Sequence, residues 1–178
     1  MNLVLESDRL YMREFRLEDA ELMMEMESDP EVHKFLGKQP VKNVEELKTY
    51  INGVLNQYES NGIGRFNTFL KDTNEYVGWV GLKVEKHIRD FEYYDLGYRF
   101  ARKHWGKGYA TEGSKIWLAY GFKTMQWQTI NAAAEVAHIK SNHVLQKIGM
   151  RNTEQFEFEG ELCNWYEMNK NEFLNNQK

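Results

Sequence analysis

The run from Asp95 to Glu112 reads D-L-G-Y-R-F-A-R-K-H-W-G-K-G-Y-A-T-E, and its residue types suit capture of a phosphorylated ligand. A strand-like stretch ends at Phe100, a short glycine-containing loop follows, and an amphipathic helix leaves from about Tyr109. A loop at a helix N-terminus turns several backbone N–H groups toward one point, and the helix dipole adds partial positive charge there. Gly106 and Gly108 carry no side chain, so a ligand can come close to the backbone. The spacing predicts the seat of a pyrophosphate-bearing cofactor.

Two other phosphate loops do not fit. A Walker loop needs Gly followed by Lys and then Ser or Thr, whereas Lys107 is followed by Gly108. A dinucleotide fingerprint needs a small residue three after the second glycine, and Thr111 stands there. An ordinary strand-to-helix turn also uses glycines, so the remainder of the chain has to decide.

The 178 residues fit one domain spanning 1–178, long enough to bury a substantial core. Hydrophobic content of 42% and charged content of 28% are those of a globular protein. A net charge of −4 argues against a general nucleic-acid surface. Cys163 is the single cysteine, so no internal disulfide forms; a core position and a cytoplasmic setting are expected. The first eight residues lack a basic start followed by a long apolar run, so no signal peptide is expected. No apolar run is long enough for a membrane span. The five histidines show no metal-ligand spacing, and no metal is expected.

The elements that must carry the loop read as follows. Leu3 to Phe15 alternates as a first strand, and Asp19 opens a helical stretch with Ala20, Leu22, Met23 and Met26. Asp29-Pro30 restarts a helix that ends near Gly37. Asn43, with Glu46 three residues on, caps a longer helix whose apolar face is Val44, Leu47, Ile51, Val54, Leu55 and Tyr58. Strands follow at 66–71, 76–84 and 91–100. A helix from Tyr109 to about Lys123, a strand from Thr129 to Val136, and a short helix capped by Ser141-Asn142 come next. Two last strands and a polar tail from about residue 170, expected to fray, complete the order. That order predicts an α/β domain with a mixed, mostly antiparallel central sheet flanked by helices.

With these segments in order, the chain resembles the GNAT acetyltransferases. His104-Trp-Gly-Lys-Gly-Tyr-Ala-Thr-Glu112 is similar to that family's acetyl-CoA pyrophosphate loop. Asp8-Arg-Leu-Tyr-Met-Arg-Glu-Phe15, Tyr76-Val-Gly-Trp-Val-Gly-Leu82 and Ser141-Asn-His-Val-Leu-Gln-Lys-Ile-Gly-Met150 resemble its opening strand, central hairpin and late helix. The branch it looks most like acetylates the N-terminal amines of ribosomal proteins.

The resemblance implies acetyl-CoA as co-substrate and a splay between the strand ending at Phe100 and the strand from Thr129. It places the backbone of Tyr98, Arg99 and Phe100 along the pantetheine arm. The amides of Gly106, Lys107, Gly108, Tyr109, Ala110 and Thr111 hold the pyrophosphate, and Asn142 joins the cofactor contacts. Ser141 takes the place of a hydroxyl near the sulfur; an N-cap is its other reading. The acceptor is a primary amine, either a protein N-terminus or a small amine: a polyamine, an aminoglycoside or an amino acid. A base must take its proton. Glu135 is the first candidate, because an acid interrupts an otherwise small, apolar strand; Asp95 and Glu92 flank the same cleft, and Glu157 and Glu159 are alternatives. Three departures stand out: Trp105 opens the loop, His138 replaces an Asn before Ser141, and Leu145 removes a tyrosine acid used by some small-amine enzymes. A CoA-binding module without chemistry is the non-enzymatic alternative. The final strands can pair across a homodimer, with the oligomeric state left open.

Overall fold

The computed structural model describes residues 3–35 and 38–176. Eight strands form one sheet: β1 (Val4–Glu6), β2 (Leu10–Glu14), β3 (Arg65–Leu70), β4 (Tyr76–Glu85), β5 (Tyr93–Phe100), β6 (Thr129–Glu135), β7 (Arg151–Phe158) and β8 (Glu161–Asn169). Their order is β1-β2-β3-β4-β5-β6-β8-β7, and every neighbouring pair is antiparallel except β5 with β6. The helices are α1 (Ala20–Glu27), α2 (Val44–Asn61), α3 (Tyr109–Ala119), α4 (Ile139–Lys147) and α5 (Lys170–Asn175).

Strand alternation sorts the core into two layers. On one face Val80, Leu82, Leu96, Phe100, Ile130 and Tyr166 pack with Trp117 of α3 and Leu145 of α4. On the other face Phe69, Tyr76 and Trp79 meet Met23 and Met26 of α1 and Leu47, Ile51 and Val54 of α2. Met23 and Met26 of α1 are core residues, Met23 being fully buried, and Met24 is partly buried against them. Cys163 is buried, as the composition suggested.

Asn43 caps α2 by accepting from the Glu46 amide at 3.0 Å, while the Glu46 carboxylate reaches back to the Lys42 amide at 2.9 Å. The helix ends at Gly62 with φ +66°, a conformation glycine adopts without strain.

Four elements differ from expectation. Residues 3–15 make an antiparallel hairpin rather than one strand, because Ser7 turns the chain by hydrogen bonding around Leu10. Residues 30–35 form turns instead of a helix; Asp29 holds the Val32 and Glu31 amides, and burial of Val32 and His33 fixes the segment. The expected helix end at Gly37 lies outside the described residues. The tail from 170 does not fray through its first turns. Asn169 and Glu172 form a reciprocal capping box for α5, and Phe173 packs 5.0 Å from Phe122 in the core. Finally, α4 starts at Ile139, so Ser141 sits inside its first turn and His138 takes the N-cap position.

Candidate active site

The glycine loop is built as its residue types require. Phe100 ends β5, a tight 3-10 turn covers Arg102–His104, and α3 starts at Tyr109. Gly106 has φ +76° and Gly108 φ +84°, both in the left-handed region. Among the described residues, no backbone or side-chain acceptor takes the amides of residues 106–111; the next amide, of Glu112, bonds to Gly108 at 3.0 Å. Six successive donors at the positive end of a helix fit a pyrophosphate. No acid competes for this seat, because Glu112 is already engaged. It accepts from Ser7 Oγ at 2.7 Å, from the Arg9 amide at 3.0 Å and from Arg9 Nε at 2.7 Å. Arg9 also donates to the Lys107 carbonyl at 3.0 Å and lies 4.7 Å from the Tyr109 ring centroid. The β1–β2 turn thus clamps the loop from outside. Arg9 and Glu112 escaped prediction as positioning residues because their pairing spans more than a hundred positions.

Trp105 has a structural task at the loop's start. Its indole N–H donates to the Phe100 carbonyl at 2.6 Å, which occupies that carbonyl, and Lys140 of α4 stacks over its ring at 4.8 Å. Lys140 therefore brings a cation to the loop from the facing helix.

The splay is present. β5 and β6 pair at a single register position, Asp95 with Asn131, and beyond it the strands run apart toward Phe100 and Glu135. Alternation then divides the groups around the gap. Tyr98 faces the α3–α4 layer, where its hydroxyl bonds the Ser141 hydroxyl at 3.0 Å and the Ser141 carbonyl at 3.1 Å. Burial holds the Tyr98 phenol above its ordinary range, so it stays protonated and can donate. From the sequence only the backbone of Tyr98 is expected to contribute. A hydroxyl pair across strand and helix appears only once β5 and α4 are in contact.

Glu135 and Asp95 lie on the opposite face. Burial, with the neighbouring Glu161 charge, pushes the Glu135 carboxyl up against the pull of Lys38. Asp95 is buried and bound to Arg65, which also donates to the Asp95 carbonyl at 2.7 Å. Burial raises its carboxyl despite the Arg65 charge. Its oxygen is committed to the ion pair, which sets Asp95 apart from a proton acceptor.

Asn142 is committed as well. Its amide group donates to the Glu135 and His138 carbonyls, both at 2.8 Å. Its oxygen accepts from Asn164 at 2.7 Å and Tyr166 at 2.8 Å. Two donors and two lone pairs are spent inside the protein, so Asn142 ties β6, α4 and β8 together and has no group left for a cofactor. His138 stacks on Phe35 with centroids 4.4 Å apart. Burial and Lys140 lower its imidazole to about 4, so it is neutral near pH 7.

A second polar cluster went unforeseen. Glu27, at the end of α1 and 1% exposed, accepts from the Trp79 indole at 2.9 Å and lies 3.0 Å from His33 Nε2. It also pairs with Arg99 of β5. Burial opposes its charge, but His33, Arg99 and Trp79 together overcome it and hold the carboxyl below its ordinary value. A separate cavity of about 620 Å³ opens at the N-terminal ends of β5 and β6, between Tyr94, Trp127 and Trp165, at the far end of the strands from the loop.

Comparison with known proteins agrees with this geometry. The acetyltransferase (GNAT) domain model matches residues 9–151. The N-acetyltransferase p20 of Bacillus licheniformis, itself uncharacterised, is 29% identical over 147 residues, 83% of this chain and 82% of its own length. A GNAT-family acetyltransferase structure from Bacillus anthracis superposes with a TM-score of 0.80 at 26% identity, covering 95% of this chain and 99% of that one. Two Vibrio cholerae structures share the fold alone. One is a candidate ribosomal-protein-serine acetyltransferase (TM-score 0.74, 16% identity, 95% and 99% coverage). The other is a spermidine N-acetyltransferase in complex with CoA and spermine (TM-score 0.77, 18% identity, 94% and 99% coverage). A sheet splayed between β5 and β6, with a free-amide loop at its open end, belongs with these matches: the chain is a member of the GNAT acetyltransferase family.

Proposed function

We propose that this protein is an acetyl-CoA-dependent N-acetyltransferase acting on the α-amine of a peptide or protein N-terminus. The observation that carries the cofactor is the row of six unengaged amides, 106–111, at the start of α3. Gly106, Lys107, Gly108, Tyr109, Ala110 and Thr111 hold the pyrophosphate through these amides. The β5 backbone at Tyr98 and Arg99 offers its β6-facing side to the pantetheine amides, since β6 has diverged there. Acetyl-CoA supplies the acetyl thioester when bound.

This chain's own residues then supply orientation and proton handling. Holding two reactants together lowers the barrier by several kcal/mol. Glu135 accepts the proton of the amine, directly or through a water, and its raised affinity for protons suits that task. Ser141 Oγ, hydrogen-bonded to the Tyr98 hydroxyl, donates to the departing sulfur.

The protein-terminus acceptor rests on the sequence resemblance and on the layout of the sheet. α1 and α2 pack on the β2–β4 side, so among the described residues no helix lies against the β6, β8 and β7 end of that face. A peptide can lie along such a face. A small polyamine remains the second reading, because a spermidine acetyltransferase shares the fold.

Three results are expected. Acetyl-CoA at about 100 times its dissociation constant raises stability by about 2.7 kcal/mol, read as a thermal shift. Ser141→Ala lowers kcat about tenfold, the value of one hydrogen bond to a developing charge, with acetyl-CoA affinity unchanged. Glu135→Gln removes the acid limb of the kcat/KM profile. In the wild type that limb lies above the ordinary value of 4.5, with activity falling as pH drops through it. Absence of any thermal shift in folded protein contradicts the reading.

A further inference from the structure

The Arg99 side chain stands on the face of β5 that the cofactor-side residues do not use. Tyr98 and Phe100 point into the α3–α4 layer, where Ser141 and the glycine loop lie. Arg99 alternates to the opposite face with Asp95. An amine reaching the gap between β5 and β6 has to enter from this second face, because α3 and α4 fill the first.

Arg99 is held rigidly there. One terminal nitrogen, Nη1, donates to Glu27 and lies 3.5 Å from His33 Nε2. The guanidinium lies over the Trp79 ring at 5.2 Å. Nε is buried without a partner. The other terminal nitrogen, Nη2, has no acceptor among the described residues and is not among the buried unpartnered atoms, and the side chain keeps 15% exposure. A guanidinium fixed on three sides therefore leaves one N–H edge open. Tyr50 of α2 adds a phenol whose hydroxyl feels the charges of Arg99 and Glu27.

We propose that Arg99 reads the acceptor: its free Nη2 edge, oriented by Glu27 and Trp79, donates to the oxygen of a carbonyl bonded to the carbon that bears the amine. The class of acceptor is then an α-amino acyl compound, as at a peptide N-terminus. This inference rests on the N-acetyltransferase reading above and names the side chain that selects its acceptor. Glu27 neutralises Arg99, so the edge suits a neutral carbonyl and does not depend on a full carboxylate. A polyamine offers no carbonyl, and its second ammonium, itself only a donor, cannot accept from the open N–H edge.

The test is a pair of titrations by calorimetry into the full-length protein. CoA is titrated first, then L-alaninamide or isopropylamine is titrated into the CoA-loaded protein. The two amines differ by one carboxamide. Alaninamide is expected to bind at least about tenfold more tightly, as a hydrogen bond to a charged donor implies. Arg99→Met and Arg99→Lys should each erase that difference and raise KM for alaninamide more than they change kcat. The lysine variant keeps a charge opposite Glu27 and guards against a folding defect in the methionine variant. CoA, which takes the backbone and not the side chain at this position, should bind both variants as it binds the wild type. Equal binding of the two amines to wild type, no binding of alaninamide, or an equal loss of both in the variants overturns the role of Arg99. Failure of CoA to bind in the first titration overturns the acetyltransferase reading itself, so the two failures are distinct.

Discussion

Gly108→Val is expected to weaken acetyl-CoA binding by about a hundredfold, with Gly106→Val close behind; strain of about 1–3 kcal/mol at such positions sets the scale. Both glycines have positive φ, +76° and +84°. Crowding is not the cause. A Cβ at Gly106 meets nothing within 4 Å, and one at Gly108 meets only Arg9 Nη2 at 3.4 Å. The cost lies in the backbone, since a β-branched residue avoids the left-handed region. Relief comes by turning the peptide, and that turns amides of the 106–111 row away from the ligand. Calorimetric titration with acetyl-CoA reads the effect, and far-UV circular dichroism shows that the fold survives. Affinity within a factor of two of the wild type would place the pyrophosphate elsewhere.

Glu27→Ala is expected to cost about 3–5 kcal/mol of stability, the scale for breaking a buried ion pair. The substitution leaves the Arg99 guanidinium without its anion and removes the acceptor of the Trp79 N–H. Glu27→Gln should cost less, since an amide oxygen can still take the indole. Chemical denaturation measures both. The pH dependence follows from the direction of the Glu27 shift. Its folded-state carboxyl titrates below the ordinary value of 4.5. Its contribution is therefore fully present above about pH 4.5 and disappears as pH falls through the folded value. The difference between wild type and Glu27→Gln should narrow on acidification. A constant difference across that range would mean that the pair is not charged.

The glycine loop was legible from sequence because positive φ leaves few residue choices, and because loop and helix are contiguous. The long amphipathic helix was legible for a similar local reason: Asn43, Glu46 and a regular apolar face lie within 18 residues of one another. The α5 tail carried a local signal that polarity masked. Asn169 and Glu172 have capping-box spacing, and Phe173 is the single aromatic that anchors the turn. Glu27 could have been found from periodicity. It follows Ala20 and Met23 on the same face of α1, and a carboxylate on an apolar face must find a partner. Its partners could not be read, because Trp79 and Arg99 reach it only through sheet packing. The same limit applies to Asn142. Its side chain looked available in the sequence, and the fold spends all four of its hydrogen-bonding positions on β6, β8 and its own helix. Asp95 differs in the same way, since only the register of β3 against β4 and β5 brings Arg65 onto it.

The most direct measurement is acetyl transfer to matched peptides beginning with Ser or Ala, each with a free or a blocked N-terminus, followed by thiol release and by mass spectrometry of the peptide. CoA release with free N-termini, acetyl on the α-amine, and no turnover of the blocked peptides are the expected results. Thiol release with polyamines alone, or acetylation confined to lysine side chains, would contradict them.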